Sequence, residues 1–115
     1  MQKTVEWYLS KGFSQQMAEY FVSGRRTIIS VIANKDFSLL LVFDNNEKRI
    51  YDMKKLIQPN TVFDFLSNWE NFSRVYLDSD SIVSWDKDPN IDSKKNWSNK
   101  IDLSTDSLYV DSIKV

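Results

Sequence analysis

Residues 37 to 53 constrain the fold most, because they spell a β-hairpin. Phe37, Leu39, Leu41 and Phe43 alternate on one face of the first strand, the two-residue period of a pleated strand. Ser38, Leu40 and Val42 occupy the other face, which is also largely apolar. A strand apolar on both faces is predicted to be central in its sheet, with cover on each side. Asp44-Asn45-Asn46-Glu47 supplies a tight turn, since Asn tolerates positive φ better than most residues. Lys48 to Met53 returns, anchored by Ile50 and Tyr51.

The segments around the hairpin fill in an α+β plan. Val5 to Leu9 reads as a short helix ending at Gly12, a residue suited to the left-handed conformation after a helix. Ser14 is a good cap for a second helix, Gln15 to Val22, which stops before Gly24. Each is too short to be stable alone, so this helical hairpin must pack on the sheet. The sheet is predicted to start at Arg26, where Thr27 to Ile32 are mostly β-branched. Val62, Phe63, Leu66 and Trp69 step at helical spacing, and Phe72 follows. Arg74 to Leu77 and Ser81 to Trp85 read as strands around the turn Asp78-Ser79-Asp80. Residues 86 to 100 read as a polar loop, Ile101 to Leu103 as a last short strand, and Thr105 to Val110 as a final turn of helix. The expectation is one small domain over residues 1–115. A helical-hairpin extension (1–24) precedes an α+β core (26–109), mainly an antiparallel meander with short helices packed on it.

Composition narrows the chemistry. The chain has 115 residues and contains no His and no Cys. That removes Ser–His and Cys–His nucleophiles and the usual zinc sites. Two glycines in all leave no phosphate-binding glycine loop. Neither a catalytic residue nor a cofactor is expected. No apolar run approaches the roughly 20 residues of a membrane span. The start of the chain has no apolar signal core, and the protein is expected to be cytoplasmic. Net charge is −1, but residues 1–55 carry nine Lys/Arg against six Asp/Glu (+3), and residues 56–115 carry six against ten (−4). A chain this near neutrality is a poor generic polyanion binder.

Phe43-Asp44-Asn45-Asn46-Glu47, then Tyr51-Asp52-Met53-Lys54-Lys55-Leu56, resembles the hairpin and following turn of the bacterial family catalogued as domain of unknown function 2442. Later motifs of that family follow in order: Val62-Phe63, Phe72, Val75, Asp78, Ile82-Val83-Ser84-Trp85, and Asp102 through Tyr109. Asn46 stands where the family usually has the turn glycine, and Thr105 where it often has proline. The resemblance covers roughly Arg26 to Tyr109 and implies a small α+β domain of bacteria and their mobile elements. It also implies an antitoxin-like or accessory regulator, with no catalytic residue to carry over.

Three binding roles follow from the residues. The first is docking of a protein partner through Trp85 and Trp97, since exposed aromatics are favoured interface anchors. The plainer reading is that both cover the core. The second is nucleic-acid binding by the helical hairpin, with Lys11, Arg25 and Arg26 as the phosphate contacts. The third is inhibition of a nucleic-acid enzyme by the carboxylates Asp78, Asp80, Asp86, Asp88 and Asp92. Asp86-Lys87-Asp88-Pro89-Asn90-Ile91-Asp92 begins like a calcium loop, but Ile91 stands where glycine is needed and Trp97 where a bidentate glutamate is needed. Turn formation is the preferred reading of these aspartates, because their side chains bond to nearby amides. A homodimer through an uncovered hairpin edge is a further expectation.

Overall fold

A computed structural model describes residues 3–115. Helix α1 (Val5–Ser10) is capped by Thr4, whose hydroxyl oxygen accepts from the Trp7 amide at 3.1 Å. Gly12, at φ +93°, turns the chain, and Ser14 caps α2 (Gln15–Ser23) through the Met17 amide. Tyr8 closes the pair from α1, its ring 5.8 Å from Phe13 and 5.2 Å from Phe21. Nothing in α1 is buried, so this hairpin holds together by aromatic edges rather than by a core of its own.

The strands are β1 (Ile28–Ala33), β2 (Ser38–Phe43), β3 (Lys48–Asp52), β4 (Tyr76–Leu77), β5 (Val83–Asp86), β6 (Lys100–Asp102) and β7 (Ile113–Lys114). Helix α3 (Trp69–Phe72) precedes β4, and α4 (Thr105–Asp111) precedes β7. The strands form two antiparallel sheets, one ordered β1-β2-β3-β7 and the other β4-β5-β6. The α+β class is as predicted, but the meander divides in two. The C-terminal strand β7 returns to flank β3, so the hairpin edge expected to pair in a dimer is already occupied.

The hairpin turn closes with Asn46 at φ +68° and the Glu47 amide donating to Asn45 Oδ1 at 3.1 Å. Phe37 also sits at positive φ (+64°), a strained conformation for a bulky residue. Its ring is held 5.2 Å from Phe72 and 6.2 Å from Trp69, and this packing offsets the strain. Leu39, Leu41 and Phe43 point inward as their alternation requires, and all three are fully buried. They meet Val83 and Trp85 of the second sheet, Leu66 and Phe72 of the 60s segment, and Leu108 of α4 in one core. The opposite face departs from expectation. Strand β2 is central, yet Leu40 and Val42 are only half-buried, and Ile32 beside them is 51% exposed. Cover comes from one side alone. Among the described residues, no helix is long and apolar enough to cross a membrane.

Candidate functional site

The polar stretch between β5 and β6 is an ordered loop, and one buried side chain orders it. Asn99 ends the helical turn Trp97–Asn99 and is 6% exposed. Its amide oxygen accepts from the Asp88 N–H at 2.9 Å. Its amide nitrogen lies 3.0 Å from Asp88 O, 3.2 Å from Ile91 O and 3.1 Å from Ser93 Oγ, so its two protons are shared among three acceptors. The Lys87 N–H adds a bond to the Asn99 carbonyl at 2.7 Å, closing the neck of the loop. Buried backbone groups must find partners, and here one asparagine serves both arms.

The network continues to the second sheet. Ser93 Oγ donates to Asp86 Oδ1 at 2.5 Å, and Tyr76 OH donates to the same oxygen at 2.7 Å. Burial, and then the bond to Asp86, push the Tyr76 phenol well above its ordinary pKa. Its proton therefore stays on through the physiological range. On the other flank, Lys100 Nζ donates to Asp78 Oδ2 at 2.6 Å. Asp78 Oδ1 accepts from the Asp80 and Ile82 amides at 2.8 and 3.1 Å. Burial alone would raise the Asp78 carboxyl, but the Lys100 bond and these amides outweigh it and hold it below the usual range. The bond to Asp78 raises Lys100 in turn.

Two open hollows flank the loop. One of about 530 Å³ runs between Tyr76, Asp86 and residues 89–94. The other, about 470 Å³, lies between Tyr76, Asp78, Lys94, Lys100 and the indole of Trp97. They share Tyr76, Ser93 and Lys94 and make one furrow along the loop. Trp97 stands at its rim, 83% exposed.

The other tryptophan is corrected by its position. Trp85 is fully buried, stacked 5.9 Å from Phe72, with its indole N–H donating to Phe72 O at 3.0 Å. It belongs to the core and presents nothing to a partner. One difference in sequence separates the pair. Trp85 ends the apolar run Ile82-Val83, whereas Trp97 lies between Asn96 and Ser98. Asn99 itself carries no local signal, because its partners lie six to eleven residues away.

The aspartates act mainly as turn formers. Asp88 Oδ1 accepts from the Asn90 amide and Asp92 Oδ1 from the Lys94 amide, both at 2.9 Å. Asp78 does the same, and Asp86 is taken by two hydroxyls. Among the described residues, no three carboxylates gather where a metal could sit.

The basic candidates divide between two places. Arg25 faces Asp106 at 3.7 Å and lies 5.1 Å from the Phe21 ring. Arg26 faces Asp44 at 3.7 Å and is mostly buried. Lys11, at the hairpin turn, lies 5.4 Å from the Trp7 ring. On α2, the Gln15 amide is spent on Glu19 at 2.7 Å, and that glutamate sits on the exposed surface the helix would offer to phosphate.

No protein-family model, curated protein or solved structure matches this chain.

Proposed function

We propose that this chain is a non-enzymatic binding module that docks another protein through Trp97 and the furrow beside it. The observation that carries the reading is a tryptophan 83% exposed on a loop fixed by Asn99. An aromatic side chain on a rigid loop loses little conformational freedom on binding, which makes it an efficient anchor. Lys94 and the adjoining Lys100–Asp78 ion pair line the furrow and would orient the partner. A non-enzymatic role accords with a furrow whose hydroxyls, Tyr76 and Ser93, both spend their protons on Asp86. The ordered motifs across residues 26–109 extend the proposal to a bacterial, cytoplasmic, antitoxin-like or accessory regulator of the family they resemble.

The test is capture from nuclease-treated bacterial lysate by the full chain and by Trp97→Ala. A single stoichiometric protein retained by the wild type, and weakened at least about tenfold by the substitution, supports the reading. Equal capture by both proteins, or capture abolished by nuclease, overturns it.

A further inference from the structure

We propose that the outer face of the four-stranded sheet is an interface between two copies of this chain, packed face to face with their strands reversed. Cross-strand register puts Ile32, Leu40, Ile50 and Ile113 in one continuous row over β1, β2, β3 and β7. Residues directly opposite share a face, so the whole row lies on the side away from the core. Ile32 is 51% and Ile113 76% exposed. The next row adds Val42, and the Val115 N–H bonds Lys48 O at 2.9 Å to carry the sheet one residue further. Ile29, the extra residue where β1 slips register, is exposed at 56%. An apolar face that runs unbroken across four strands can serve as an association surface.

The charges at its two ends select a second copy as the occupant. Strand β3 carries Lys48 at one end of this face and Asp52 at the other, with Ile50 midway. Lys48 makes no ion pair among the described residues. Asp52 contacts Lys54 at 3.1 Å and is still 55% exposed, leaving room for a second cation. A two-fold axis running along the isoleucine row lays each β3 over its partner in reverse. Ile50 then meets Ile50, and each Lys48 stands over the other copy's Asp52. The face is self-complementary in sign, as an isologous contact must be, and aligned packing of twisted sheets supplies the layer.

The face measures roughly 19 by 17 Å from strand spacing and rise, well below the ~800 Å² per partner of a standard stable interface. The dimer is therefore weak and concentration-dependent. It uses neither Trp97 nor the furrow and stands independently of the docking role.

Sedimentation equilibrium of the full chain from about 5 to 500 μM tests it. The expected result is a mass rising from 13.6 kDa toward twice that value. Ile32→Lys with Ile113→Lys, both at exposed positions, abolishes the rise while leaving the melting profile intact. Lys48→Asp and Asp52→Lys each weaken association by about three- to tenfold, and the double exchange restores it. Trp97→Ala leaves it unchanged. A constant monomer mass overturns the proposal, as does a dimer indifferent to the isoleucine substitutions or a double exchange that fails to restore.

Discussion

Asn99 satisfies the Asp88 amide, two loop carbonyls and the Ser93 hydroxyl at once. Truncation therefore strands several groups together. Asn99→Ala is expected to cost about 1–3 kcal/mol, because buried partners lose bonds that water cannot fully replace. Its distinguishing effect is local: amide hydrogen exchange accelerates across residues 88–98 while the β2 amides stay protected. Asn99→Asp keeps an acceptor for the Asp88 N–H but has no donor for the carbonyls, so it falls on the side of the alanine variant. At this scale the sequence was legible where the pattern is local. Ser14 as a cap and Asn46 as a turn residue follow from short-range chemistry. Asn99 joins residues that only the fold brings together, so its role is invisible in one dimension.

Elements show the same divide. The alternation of Leu39, Leu41 and Phe43 identifies β2 because six residues repeat the two-residue period three times. Strand β7 has two residues, one period with no repeat, so Ile113–Lys114 could not be read as a strand. What fixes it is a polar cluster. Arg49 Nε donates to Ser112 Oγ at 2.7 Å, Arg49 Nη2 donates to Ser112 O at 3.0 Å, and the guanidinium lies 4.4 Å from the Tyr109 ring. The N-terminal hairpin is fastened in a similar way. Tyr20 OH donates to Asp106 at 2.6 Å and accepts from the Arg26 N–H at 2.9 Å, joining α2 to α4 and to the approach to β1. Tyr20→Phe keeps the ring against Tyr109 but orphans that amide. The expected loss is about 1–2 kcal/mol, read as a melting temperature lower by several degrees. Burial, and then the Asp106 bond, push the Tyr20 phenol up to about 12. A raised pKa means the folded state holds the proton more tightly. The contribution is whole below about pH 10 and is lost as pH climbs toward about 12. Denaturant melts over that range should decline less steeply for Tyr20→Phe than for the wild type, and equal slopes would remove Tyr20 from the account.

For the molecule as a whole, the α+β class was legible because short segments with clear caps and alternation set it. The division into two sheets was not, since no local signal says that β4 pairs with β5 alone and leaves the edge of β3 to β7. The acid response belongs to this scale, because the responsible carboxylates bind distant parts of the chain together. Glu47, in the hairpin turn, accepts from Tyr109 OH at 2.8 Å and Arg49 at 3.0 Å and lies 3.6 Å from Lys114. Burial would raise its carboxyl, but those two bonds and the nearby Lys114 and Arg49 charges outweigh it and leave it lowered. Asp78 ties the second sheet's turn to β6 and is lowered by similar means. A lowered pKa means that the unfolded chain takes up protons first as pH falls. These groups therefore stabilise the fold above their unfolded values, near 4, and that contribution fades as pH drops through the folded ones. Urea midpoints should hold from pH 7 to about 5 and fall below about 4. Glu47→Gln should start lower at pH 7, because the half-buried Arg49 loses its charge partner, and should fall less steeply in acid. A variant whose acid limb runs parallel to the wild type would place the acid sensitivity elsewhere than the clasp between the hairpin and the C-terminal strand.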